Sequence, residues 1–182
     1  QTGCNILDLQ ELEERGLIRL FENEIFRDPL ERIEKQETSK ELELTPEQSF
    51  AFSEIKRALS SLVTRNSFLL YGVTGSGKTE IYLRAAEQVI KNGKQALILV
   101  PEIALTPQAV RRFVSRFPGQ VGLVHSKLSE GERYDTWRRA RDGKLNVIIG
   151  ARSALFAPLP NIGLIVVDEC HDSSYYQSEP PY

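Results

Sequence analysis

Methionine is missing from all 182 residues, and the chain opens on Gln1. A natural translation start is therefore not expected among them, and the stretch reads as an internal piece of a longer protein. Cysteine is nearly missing as well: Cys4 and Cys170 lie far apart and without paired spacing, which excludes a disulfide framework and a zinc site of the usual kind. Both are expected to be free thiols. No run approaches the roughly 18 consecutive apolar residues that a membrane span requires, and the start lacks the charged and apolar regions of a signal peptide. A cytoplasmic protein without a membrane partner is the expectation.

Charge of one sign is scarce overall, since 23 Lys/Arg stand against 25 Asp/Glu. The balance is uneven along the chain. Residues 1–43 carry 6 basic and 12 acidic side chains, a net of -6, whereas residues 44–182 carry 17 and 13, a net of +4. A mildly basic body is compatible with a polyanionic partner and falls short of the basic patch that identifies one.

The first 28 residues read as the end of a small winged-helix-like unit: apolar Leu7, Leu9 and Leu12 on a helix stopped by Gly16, then an alternating hairpin over residues 17–26. A structureless remnant of a neighbouring domain is the competing reading. Residues 29–43 are charged and lack apolar periodicity, as a solvated linker does. A third unit spans residues 44–182. Thr45 and Pro46 open a helix there, a cap residue followed by proline in the first turn. Beyond it, apolar runs at 67–71, 96–100, 121–124, 147–149 and 164–167 alternate with helical periodicity at 80–91, 107–117 and 130–141. Runs too apolar to be half-solvated, separated by helices, predict an α/β fold with a mostly parallel sheet covered on both faces.

Two motifs carry chemistry. Gly72, Val73, Thr74, Gly75, Ser76, Gly77, Lys78 and Thr79 fit the G-x-x-x-x-G-K-[ST] phosphate loop, between an expected strand and an expected helix. Glycines let the backbone wrap a phosphate so that its N–H groups and the helix N-terminus face the anion. Lys78 is expected to reach the β- and γ-phosphates of ATP, and the Thr79 hydroxyl to bind Mg2+. The second motif ends an apolar run with Asp168 and Glu169, at the carboxyl edge of the sheet where ligands of open α/β sheets bind. Asp168 is the expected magnesium-side carboxylate, and Glu169 the group that orients and deprotonates the attacking water.

Residues 168–171 (DECH) resemble the D-E-x-H box of superfamily-two helicases, with Cys170 in the variable place, and residues 44–48 (LTPEQ) resemble the upstream glutamine element of such motors. The blocks at 72–80 (GVTGSGKTE), 100–108 (VPEIALTPQ) and 150–158 (GARSALFAP), with His125-Ser126 and Glu132-Arg133, are similar to the PriA family of primosomal replication-restart DNA helicases. Cys170 departs from the glutamate expected at that place in the family. The resemblance covers residues 44–182. It implies the first RecA-like motor lobe of an ATP-dependent 3′-to-5′ DNA helicase acting at stalled forks, with the lobe incomplete at its C-terminus.

The same resemblance implies that Gln48 reads adenine and that His171 couples nucleotide to DNA. It places Pro101, Glu102, Thr106, Gln108, Arg152 and Ser153 along the DNA channel, with Arg111 and Arg112 as weaker candidates beside a solvated-face reading. Single-stranded and forked DNA, replication-restart and primosome proteins and single-strand-binding protein are the implied partners, in the bacterial cytoplasm at the nucleoid. Zinc is implied for a cysteine-rich module of the longer protein and not for these residues. Two other readings stand beside this one: a different superfamily-two translocase, and a non-hydrolysing nucleotide-dependent adaptor that recruits restart proteins.

Overall fold

The structure is a computed structural model, and it describes residues 5–21, 27–30, 43–60 and 66–176. Helices α1 (Ile6–Glu14) and α2 (Pro46–Ser60) precede an alternating core. In chain order this core is α3 (Lys78–Lys91), β1 (Gln95–Leu99), α4 (Pro107–Arg116), β2 (Val121–Val124), α5 (Glu130–Arg141), β3 (Val147–Gly150) and β4 (Ile162–Val167). Short 3-10 turns at Glu102–Ala104 and Arg152–Phe156 follow β1 and β3. The four strands form one parallel sheet in the order β2-β3-β1-β4.

Period-two alternation in the strands sorts the core into two layers. Ala96 and Ile98 of β1 join Val147 and Ile149 of β3 on one face, beneath Leu83, Ala86 and Val89 of α3 and Val110 and Phe113 of α4. Leu97, Leu99 and Ile148 point the other way, toward Ala140 of α5 and Ala154 of the turn after β3. Both faces of β1 and β3 are thus buried, which is why residues 96–99 and 147–150 run apolar without polar interruption, while Gln95 at the head of β1 donates to the Leu145 carbonyl at 2.7 Å. The predicted α/β architecture with a mostly parallel sheet is the observed one.

Helix starts follow local chemistry. Ser129 and Glu132 form a capping box on α5: the Glu132 amide donates to Ser129 Oγ at 3.3 Å and the Ser129 amide to Glu132 Oε2 at 3.0 Å. Thr45 and Gln48 do the same for α2, at 3.3 and 2.9 Å. At the carboxyl end of β3, a Cβ added to Gly150 meets the Val124 carbonyl oxygen at 2.1 Å, so only glycine lets these strand ends close.

One expected strand does not form. Residues 67–71 pair with no strand, and Leu69 and Tyr71 are 81% and 95% exposed. These residues and β4 face a common cleft instead of sharing a ladder. Only Leu70 of this run is half-buried, so most of the apolar composition that predicts a strand stays without a packing partner. Edge strand β4 shares this exposure: Leu164 and Val166 pack on the core, whereas Ile162, Ile165 and Val167 stay open.

At the amino end, Asn5 caps α1 with a full capping box, and Gly16, at φ +70°, ends the helix where the sequence predicts. Residues 22–26 of the expected hairpin and 31–42 of the expected linker lie outside the described residues. Arg27 to Leu30 sit against the lobe. Leu30 is buried in the core layer of α3 and α4, the Arg27 amide donates to Asp135 of α5 at 3.0 Å, and Arg139 pairs with Asp28 at 3.0 Å.

Candidate nucleotide-binding site

The loop before α3 takes its shape from two glycines at positive φ, Gly75 at +82° and Gly77 at +84°. A side chain at either place is strained. A tight turn closes between the Ser76 amide and the Val73 carbonyl at 3.1 Å. Gly77 occupies the N-cap position and no side chain caps α3, so the first-turn N–H groups of the helix lack a side-chain acceptor. Such an end attracts an anion. Lys78 folds back over the loop, its Nζ donating to the carbonyls of Gly72 at 2.7 Å and Val73 at 3.2 Å. Gln48 reaches in from α2 and donates from Nε2 to the Ser76 carbonyl at 2.8 Å. One glutamine therefore caps its own helix through Oε1 and braces the loop through Nε2.

Across from the loop, the Asp168 amide continues the β1–β4 ladder by donating to the Leu99 carbonyl at 2.8 Å. That bond puts Asp168 at the carboxyl edge of the sheet. Glu169 follows with φ +46°, the only non-glycine positive φ among the described residues. Conformations of this kind cost ~1 kcal/mol or more and recur where a site needs a side chain re-aimed. His171 Nε2 lies 3.7 Å from Glu169 Oε2.

Gly72, Lys78, Asp168, Glu169 and His171 line one cleft of about 460 Å³, walled by residues 66–71 and β4. Residues 73–77, Gln48 and Thr79 are not on its wall; Gln48 is bonded to the loop at Ser76, and Thr79 is half-buried in the first turn of α3. Sequence reasoning overlooks two tyrosines here. The Tyr82 phenol, one helical turn beyond Lys78, donates to Asp168 Oδ1 at 3.2 Å, and the Tyr175 phenol donates to the Asp168 carbonyl at 2.9 Å. Burial, then the Asp168 charge, holds both phenols well above their ordinary ionisation range, so they remain donors. The four-residue spacing from Lys78 to Tyr82 was the available signal, because it sets both on one helix face.

The residues expected along a DNA channel gather at the same carboxyl edge. Pro101 and Glu102 begin the turn after β1, Thr106 caps α4 by accepting from the Ala109 amide at 3.2 Å, and Gln108 is exposed on its first turn. Arg152 and Ser153 are exposed on the turn after β3, where Arg152 Nη1 donates to the Tyr176 carbonyl at 2.9 Å. Glu102 accepts a hydrogen bond from Ser126, tying the first turn to the end of β2. Arg111 and Arg112 sit farther along α4.

Residues 45–181 match the DEAD/DEAH box helicase family. The chain belongs to that family. Curated relatives include the replication restart protein PriA of Bacillus subtilis (strain 168), 47% identical over 181 residues that cover 100% of this chain and 22% of the relative. The replication restart protein PriA of Chlamydia pneumoniae is 52% identical over 76% of this chain and 18% of its own length, and that of Synechocystis is 44% identical over 97% and 20%. The chain thus spans about a fifth of the length of these relatives.

DEAD/DEAH box helicases use nucleotide and Mg2+, and the donor set can be tested against both. Asp168, Glu169 and the Thr79 hydroxyl offer hard oxygen atoms, the kind magnesium takes in small number while keeping several waters. With Asp168 Oδ1 held by Tyr82, the carboxylate is oriented before any ion arrives. The loop's glycine geometry and uncapped helix suit a polyphosphate. These residues fit the group.

Proposed function

We propose that this chain is the nucleotide-binding first motor lobe of an ATP-dependent 3′-to-5′ DNA helicase that acts at stalled replication forks in restart and primosome assembly. What carries the reading is the single cleft shared by Lys78 and by Asp168 and Glu169. The similarity to replication restart proteins along the whole chain supports the choice among helicases.

In this reading Lys78 leaves its carbonyl partners for the β- and γ-phosphates, the loop amides hold the phosphate chain, and Gln48 shifts from the Ser76 carbonyl to the adenine. Asp168 and Thr79 would hold magnesium, which neutralises phosphate charge when bound. Glu169 orients the attacking water and accepts its proton. His171, beside Glu169, relays DNA occupancy to that water. Pro101, Glu102, Thr106, Gln108, Arg152 and Ser153 lie along one strand, whose recognition through phosphates is indifferent to sequence and weakened by salt. Single-stranded and forked DNA, primosome proteins and single-strand-binding protein are the partners of the full-length protein, in the bacterial cytoplasm; zinc belongs to parts of it outside these residues.

The test is ATP turnover by the full-length protein with and without forked DNA. DNA should stimulate turnover, and Glu169→Gln should abolish the stimulated rate while leaving Mg-ATP binding in place. Turnover that ignores DNA, or that survives Glu169→Gln, contradicts the proposal.

A further inference from the structure

A second cavity, of about 420 Å³, opens between α5 and the turn Arg152–Phe156, separate from the nucleotide cleft. Its floor belongs to the core layer on the α5 side of the sheet. Its wall and mouth carry His125, Ser126, Arg133, Trp137, Ser153 and Phe156. We infer that this cavity seats one unstacked nucleobase of the bound single strand, against Trp137 and Phe156. The inference rests on the proposed reading of the chain as a DNA motor.

Three observations select a base. The volume falls in the range of small-ligand pockets, and the lining combines aromatic planes with few polar groups. Phe156 is 80% and Trp137 43% exposed; the Arg141 guanidinium lies over the Trp137 ring, 5.4 Å from its centroid, so Phe156 and the other face of Trp137 are what an incoming flat ring would meet. The polar groups suit a base edge. His125 Nδ1 accepts the Lys127 amide at 3.1 Å, which leaves the proton on Nε2 as a donor. Burial, against the pull of Glu102, keeps this imidazole neutral below its ordinary range.

Position selects the strand as the source. Ser153, next to exposed Arg152, forms part of the cavity wall, and Ser126 is bonded to Glu102 of the turn after β1. A strand whose phosphates follow Arg152 and Ser153 therefore passes the mouth. Stacking takes any base, so such a seat grips the strand at a fixed place without imposing a sequence.

The test uses the full-length protein with 5-fluorotryptophan incorporated, the Trp137 signal being assigned by its loss in Trp137→Phe. A ten-residue oligothymidylate is compared with an abasic sugar-phosphate chain of the same length, each added until fluorescence anisotropy reports saturation. The thymidylate should shift the Trp137 19F resonance and the abasic chain should not. In Phe156→Ala, on the exposed turn, the shift should shrink and the thymidylate should bind about tenfold more weakly. Binding of both oligomers with Trp137 unmoved, or moved equally by both, overturns the base seat and leaves the motor reading standing. Failure of both oligomers to bind overturns the two together.

Discussion

Asp168 is held from three directions: its amide by the Leu99 carbonyl, its own carbonyl by Tyr175 and its carboxylate by Tyr82. Such fixing matters for a group that meets a divalent ion, because an oriented carboxylate spends less ordering free energy on binding. Tyr82→Phe removes one hydrogen bond worth ~1 kcal/mol. It should raise the magnesium concentration needed for half-maximal nucleotide binding by roughly three- to tenfold, read by calorimetry on the full-length protein; an unchanged magnesium dependence would show the phenol idle. The sign of its pH dependence follows from the raised ionisation of Tyr82. The contribution is fully present below the phenol's ordinary 10.0 and lost only as pH rises through the higher folded value. His125 behaves oppositely, since burial lowers its ionisation: its contribution is present above 6.5 and declines as pH falls below that value. Gly150 is a different kind of residue, set by space. Gly150→Ala drives a methyl group into the Val124 carbonyl and should destabilise the β2–β3 edge by about 2 kcal/mol or more, visible as faster amide exchange in those strands. Unaltered exchange would mean that the strand ends separate at little cost.

At the scale of elements, α5 joins three parts of the molecule. Its inner face closes the second core layer, its Trp137 side lines the smaller cavity, and its Asp135 receives the segment at residues 27–30. Asp135 is buried, and its carboxylate meets the Arg27 amide at 3.0 Å, the Arg27 guanidinium at 3.6 Å and Arg138 at 3.5 Å. Asp135→Ala leaves the Arg27 amide without this acceptor. In the full-length protein, hydrogen exchange over residues 27–30 should then accelerate about tenfold, with a smaller change in Asp135→Asn, which keeps an acceptor oxygen. Equal protection in wild type and Asp135→Ala would assign the docking to Leu30 burial and the Asp28–Arg139 pair. The charge pattern of residues 27–30 resembles that of any solvated linker, and nothing in it marks a buried partner 108 positions away. Long-range pairing of this kind is what periodicity cannot report. Residues 67–71 fail in the other direction: an apolar run reports how a segment would be buried, and here all but Leu70 stay exposed.

Across the whole molecule, what could be read early is what is written locally. The cap at Thr45, the stop at Gly16, the apolar runs at residues 96–99 and 147–149 and the loop at residues 72–79 each depend on neighbours within a few positions, and each stands where its spacing puts it. The parallel sheet followed because only helices on both faces bury such strands. The meeting of Lys78 with Asp168 in one cleft followed from two motifs that both end at the carboxyl edge of that sheet. The brace from Gln48 to Ser76 and the cavity beside Trp137 needed three-dimensional proximity, and for Tyr82 the spacing from Lys78 gives the helix face but not the bond to Asp168, 86 positions away.

In the proposed reading the cleft holds a nucleoside triphosphate between the α3 N-terminus and the acidic end of β4. Calorimetric titration of the full-length protein with Mg-ATP, beside its Lys78→Ala variant, decides whether it does. In that reading Lys78 would supply a charge-assisted contact worth ~1.5 to 3 kcal/mol, so the variant should bind about ten- to a hundredfold more weakly. No heat with the wild-type protein, or equal affinity in the variant, contradicts the account.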